Sequence, residues 1–500
     1  MKLKRLHIVR LLLMALIVLT ATTSCYNYDE VEKSIDSNAS DYINVTISIS
    51  ASDNAMTRAV PTGGEYGDAT EKGNNRENEV KNITLIFYQD PTGINTTSDD
   101  AAVVSVLRYA VRPMTDSDWP EDKVHSHKGT EPVSDYYGKE VLYTTGNQKL
   151  NGTLLEKGET YKMLVVANTL VDVSVGDKIK NVREKVASNV FTGTGIGINA
   201  SDFVMASETD ASVTLSNPEE ESISGKTSFI YYFDCIHIER LAARIDFWAD
   251  KSNGYKTSTN NPAYTTPGYE YIVKKADDSD SGDRFVLTSI TPFNLNNGNE
   301  FVFKRTNDTT NPYLHDESTT NWVVDPNTST KNGTAHPSYL VSTLTDVRTT
   351  FSNAFNVTMG GEQANKLTID SKDDIIIGYT KENTLRPDGD SPLYYYATGL
   401  AFEGYYYENG TGTGERCVYY YFIRHQGENS TAYDAYTADN IESTKAVYCP
   451  STPAMNFGIV RNNIYRISID KVLEKDGAPK IKIKIEEEKW RHVDNPEIYI

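Results

Sequence analysis

The chain is 500 residues long, 38% hydrophobic, with 33 tyrosines and a formal net charge of -20. That length leaves room for two or three domains with sizeable cores, and so acidic a balance excludes nucleic acid as a partner. Short apolar runs punctuated by Thr, Ser, Asn and Gly favour an all-β protein with many turns and few, short helices.

Lys2, Lys4, Arg5 and Arg10 precede a short apolar core over residues 11–20. The run is too short for a membrane span and reads as an export signal over residues 1–24. Thr22-Thr23-Ser24 leads into Cys25. Small residues directly before a cysteine resemble a bacterial lipobox, with Thr22 where leucine is usual. Cys25 is therefore the candidate lipidation site of a lipoprotein, and acyl chains there would hold the protein on a membrane. Cys235, Cys417 and Cys449 show no metal spacing; one disulfide or buried free thiols are both open.

Residues 42–50 alternate Ile43, Val45, Ile47 and Ile49 with Asn44, Thr46, Ser48 and Ser50, the period-2 pattern of a strand. Arg58-Ala59 follows within a polar segment, so a protease could cut this strand free. Strands are predicted over residues 80–88, 103–109, 140–144, 160–167, 204–207 and 212–215. Ile179, Val182 and Val186 predict a helix over residues 177–187. Residues 229–248 form a long β-rich run, and a domain boundary is placed near Asp234. Strands follow over residues 272–274, 285–290, 301–303, 394–397, 405–407 and 418–424. Polar stretches over residues 305–335 and 383–391 read as loops. Two β-sandwich domains, over residues 59–234 and 235–500, are the economical architecture.

The tail alternates twice. Ile464, Arg466, Ser468 and Asp470 alternate with Tyr465, Ile467 and Ile469, as in a half-buried strand. After a Lys475-Asp476-Gly477 turn, Ile481, Ile483 and Ile485 alternate with lysines. This second strand ends the chain, so the groove receiving its isoleucines could lie in another molecule.

Signals for catalysis are weak. Gly193, Gly195 and Gly197 lack the strand–loop–helix order of a phosphate loop, and Gly225-Lys226-Thr227 lacks the upstream glycine, since position 220 is Glu. Residues 277–283 (DDSDSGD) lack the closing Glu of a calcium loop and read as a solvated hairpin. His125 and His127 have no third metal ligand nearby. No cofactor, metal or catalytic residue is assigned. The tyrosine triplets at 394–396, 405–407 and 419–421 read as strand residues, with an aromatic glycan platform as the other possibility.

Five places together resemble the fimbrillins of type V pili, most nearly the shaft subunit of the short fimbria. They are the signal ending at Cys25; the alternating strand followed by Arg58-Ala59; Ile238-Glu239-Arg240-Leu241-Ala242-Ala243-Arg244, like the segment that opens the family's second domain; Val460-Arg461-Asn462-Asn463-Ile464-Tyr465, like its late-strand signature; and Trp490 in the tail. The resemblance implies two transthyretin-like β-sandwich domains and no enzymatic activity. It implies a lipoprotein precursor at the outer membrane and an Arg-specific protease that cuts after Arg58, so that residues 25–58 are a propeptide. The strand carrying Ile43, Val45, Ile47 and Ile49 would then leave. The vacated groove would take a donor strand from another copy, with Ile481, Ile483, Ile485, Trp490, Ile498 and Ile500 as donor residues. Partners would be further copies, head to tail, with accessory anchor and tip subunits. Alternatives are a tip or anchor subunit of the same fimbria, or a monomeric surface lipoprotein that binds glycans.

Overall fold

The computed structural model describes residues 41–49, 69–72, 76–89, 100–114, 142–150, 154–193, 200–207, 209–249, 256–257, 268–293, 295–296, 298–305, 323–324, 326, 357–358, 366–369, 372–384, 397–423, 433–434, 458–474 and 480–491. The protein is all-β. Among the described residues its strands form an 11-stranded sheet and a 13-stranded sheet, with a separate pair between Val186–Ala187 and Glu300–Phe301.

The first sheet runs, neighbour by neighbour, Val103–Ala110, Asn82–Tyr88, Thr160–Ala167, Met205–Ser207, Lys226–Arg240, Asp41–Ser48, Leu142–Thr144 and Arg112–Pro113. The second runs Lys366–Ile369, Lys372–Lys381, Ala242–Ala249, Asn463–Leu473, Tyr269–Lys274, Asp280–Phe293, Gly399–Tyr407 and Glu415–Phe422. The strand Lys480–Arg491 joins it alongside Asn463–Leu473.

Each sheet is associated with its own apolar core. Ile86, Phe87, Val165, Met205 and Phe233 are buried in the first; Phe247, Tyr271, Phe285, Phe402 and Ile467 in the second. The first core also takes Val302, Phe303, Ile376, Tyr379 and Ile464, all from beyond the sheet switch. The switch lies at Leu241, between Lys226–Arg240 and Ala242–Ala249, seven residues past Asp234.

Most predicted strands are present and several are longer, because a paired neighbour extends the ladder into residues that do not alternate. Residues 285–290 lie within Asp280–Phe293, and residues 418–422 within Glu415–Phe422. The predicted helix over 177–187 shrinks to Ile179–Arg183. Ile179 and Val182 are buried as the spacing implies, but Val186 is 45% exposed. The chain turns extended there to pair with Phe301, so strand pairing overrides the helical period. Asn463–Leu473 is not half-buried: Arg466 and Ser468 are buried alongside Tyr465, Ile467 and Ile469. Asn383, at the start of a predicted loop, is fully buried and bridges to Ile459.

Candidate strand-exchange site

Asp41–Ser48 is an interior strand. One edge pairs in parallel with the long strand, from Asp41 opposite Phe229 to Ser48 opposite His237. The other pairs antiparallel with Leu142–Thr144 and with Gln148–Lys149. Ile43, Val45 and Ile47 are 0% exposed and Ile49 1%, because alternation aims all four into the first core. Thr46 and Ser48, on the other face, are buried as well. The polar side is bonded in place: Thr144 Oγ1 donates to Asn44 Oδ1 at 2.8 Å, and Val45 N to Thr145 Oγ1 at 3.0 Å.

The register slips once. Val45 stands opposite Phe233 but Ile47 opposite Ile236, so Asp234 and Cys235 together face Thr46. Two residues opposite one is a β-bulge, which fixes how a neighbouring strand must sit.

Lys480–Arg491 carries four of the predicted donor residues. Here it forms a hairpin with Asn463–Leu473, with Ile485 opposite Ile467 and Ile483 opposite Ile469. Its outer edge pairs with Tyr433–Asp434 and, in parallel, with Ala69–Lys72, where Trp490 stands opposite Glu71. The predicted donor strand is therefore docked in its own chain's sheet. Ile498 and Ile500 lie outside the described residues, as do Cys25, Arg58 and Ala59.

The two mid-chain and late motifs meet at the sheet switch. Asn462, at φ 57, donates its backbone N–H to Ala242 O at 2.8 Å, and its side chain accepts from Arg240 Nη1 at 3.1 Å. Arg240 also donates through Nε to Glu77 O at 2.9 Å, and it bonds Asn78 Oδ1. Arg244 holds Asp246 through Nη2 at 2.6 Å and Glu77 through Nη1 at 3.2 Å. Tyr379 Oη donates to Glu77 Oε1 at 2.6 Å. Arg461 Nη2 reaches Glu300 at 2.7 Å, and its Nε reaches Glu382 at 2.8 Å.

Arg240, Arg244, Glu77, Asp246, Glu300 and Glu382 are all 0% exposed, and Arg461 is 2% exposed. Burial pulls the Arg240 guanidinium down to about 10; Glu77 opposes this and Arg244 adds to it. Burial alone would raise the Glu382 carboxyl, but Arg461, a hydrogen bond with Glu300 and nearby Lys304 outweigh it and hold it below its usual value. Sequence reading missed the network and its Glu77–Asn78 hub. The available signal was arginine twice within an apolar strand run at 240 and 244, since such a charge must find a buried partner.

Two of the weak catalytic motifs resolve as turns, while Gly195 and Gly197 of the third lie outside the described residues. Ser224-Gly225, both at positive φ, close the hairpin between Ile223 and Lys226. Residues 275–279 turn the Tyr269–Lys274 and Asp280–Phe293 hairpin, and the nearby acids are taken up by Arg284, Tyr406 and Lys471. Tyr407, Tyr419, Tyr420 and Tyr421 are buried, while the 394–396 triplet and both candidate histidines lie outside the described residues. Cys417 is a free, half-buried thiol, and burial pushes its pKa up. Among the described residues no group of three His, Cys, Asp or Glu could hold a metal, and no helix is long and apolar enough to cross a membrane.

No protein-family model matches the chain, and no curated protein matches it. Solved structures do. A candidate cell adhesion protein from Parabacteroides distasonis is 12% identical over 91% of this chain and 99% of its own, with TM-score 0.39. The C-terminally truncated tip fimbrial protein Mfa3 from Porphyromonas gingivalis is 10% identical over 90% and 100%, with TM-score 0.36. A fimbrilin from the same organism is 12% identical over 91% and 99%, with TM-score 0.37. These neighbours are fimbrial and adhesion proteins.

Proposed function

We propose that this protein is a structural subunit of a cell-surface fimbrium, without catalytic activity, that polymerises when its early strand is cut free and a second copy's C-terminal strand takes the place. One observation carries the reading. Asp41–Ser48 is an interior strand, hydrogen-bonded on both edges and buried on both faces, yet the sequence after it runs through Arg58 before the next strand among the described residues, Ala69–Lys72. Removing it would expose two ladder edges and an apolar trough. Its four aliphatic side chains supply roughly 6–12 kcal/mol of gross burial. Ordering the backbone of the strand costs about 1–2 kcal/mol per residue. While tethered, the strand holds its place through effective concentration. Hydrolysis of the Arg58–Ala59 peptide bond consumes one water and removes that advantage. A strand with isoleucine at every second position, such as Ile481, Ile483 and Ile485, can refill the trough through ladder bonds and side-chain pockets.

The accompanying parts of the proposal are export and lipidation at Cys25, passage over the outer membrane, residues 25–58 as propeptide, and head-to-tail contact with further copies and accessory subunits. The two proposed sandwich domains, residues 59–234 and 235–500, would join close to the sheet switch at Leu241. Treating purified chain with an Arg-specific protease should convert monomers into ladders on a non-denaturing gel. A chain ending at residue 479 should not form them. Cut chain that stays monomeric would end the proposal.

A further inference from the structure

We propose that Ala69–Lys72 is a latch that holds the C-terminal strand in its own sheet. The hairpin of Asn463–Leu473 with Lys480–Arg491 is closed at its turn, where Leu473 faces Lys480, and open at its far end, where Asn463 faces Lys489. Asn463–Leu473 is held in the sheet by Ala242–Ala249 and Tyr269–Lys274, so it is the outer strand, Lys480–Arg491, that frays from the open end. Among the described residues, Ala69–Lys72 pairs only with residues 488–491, at that end. Trp490 and Arg491 lie beyond the last hairpin pair. Among the described residues their ladder neighbours are Glu71 and Lys72.

Four parallel pairs on an outer edge are weak by themselves, so a latch of this kind needs an anchor. It has one a few residues downstream. Glu77 and Asn78 are 0% and 3% exposed, and Arg240, Arg244, Tyr379 and Tyr143 all bond them. The latch is thus tied to the sheet switch and not to the early strand, and it stays on the chain when residues up to Arg58 are removed. It covers ladder groups that would otherwise template pairing with any passing strand. Its existence does not depend on the donor-strand reading; its effect on assembly does. Under that reading the latch sets a barrier that the C-terminal strand crosses before it can enter a second copy.

The uncut, full-length chain carrying Thr70→Pro and Glu71→Pro tests the latch, because proline removes ladder N–H groups. Amide exchange over residues 486–491 should rise about tenfold, the effect of losing one or two net hydrogen bonds. Residues 82–88 of the first sheet should keep wild-type protection, which shows that the fold survives. Unchanged exchange over 486–491 overturns the proposal. A second variant works in the opposite sense. Thr70→Cys and Lys489→Cys are paired in register, and neighbouring strands about 4.8 Å apart are within disulfide reach. Once oxidised, with the cross-link mapped by mass spectrometry, exchange over 486–491 should slow, and no slowing overturns the proposal. After cutting at Arg58, the oxidised chain should stop growth and reduction should restore it; unrestricted growth of the oxidised form counts against the latch. If cut wild-type chain never grows, the donor-strand reading fails instead, and the exchange results alone decide the latch.

Discussion

Arg461 shows what a single residue does at the sheet switch. Its guanidinium is fully buried between Glu300 and Glu382 and also bonds the carbonyls of Phe301 and Val302. Breaking a buried pair leaves an uncompensated charge, so Arg461→Ala should cost about 3–5 kcal/mol, read from the urea midpoint. Arg461→Met together with Glu300→Gln and Glu382→Gln should recover most of that, since the triple change leaves no lone charge. The same site sets an acid response. Glu382 titrates below its usual 4.5 in the folded chain, so its contribution is complete above that value and is lost as pH falls through the lowered one. Stability measured at pH 7 and again near pH 3 should fall steeply in the wild type. The part of that fall due to this carboxyl should be absent in Glu382→Gln; equal slopes would contradict the assignment.

Among elements, the early strand makes the sharpest prediction. Ile47 is fully buried, so Ile47→Ala should cost the uncut chain about 2–5 kcal/mol. Assembled, cut material should be unchanged, because the strand is no longer part of it. Equal losses in both would mean that the strand never leaves. The strand itself was legible in the sequence because one face alternates without interruption from Ile43 to Ile49. Its neighbours were not: pairing with residues 226–240 and 142–149 is non-local, and alternation says which face is buried but not against what. The helix over 177–187 was overread for a related reason. A period of three to four residues cannot reveal that Val186 has a strand partner more than a hundred residues away. The two tail strands were legible as alternating runs on either side of Lys475-Asp476-Gly477, but their pairing with each other was not: alternation left the partner of the second strand open. Ala69–Lys72 carries no alternation, so nothing local marked it.

At the scale of the whole molecule, the two cores are coupled. Ile464 packs in the first while Tyr465, the next residue, packs in the second, and Arg240, Arg244 and Asn462 bond across the switch. Ile467→Ala, deep in the second core, should therefore lower amide protection over residues 82–88 as well as over its own sheet. Protection lost in the second sheet alone would show that the halves open independently. Under the proposed strand exchange, the bulge opposite Thr46 would bear on the fibre. It acts as an index mark: a replacement ribbon that slides by one residue meets two backbone units where it needs one. Axial spacing between subunits would then be a fixed length, not a distribution. Under the same proposal, tension along the axis of a ribbon bonded on both edges would load every rung together, so a stretched fibre should yield by subunits unravelling before joints slip.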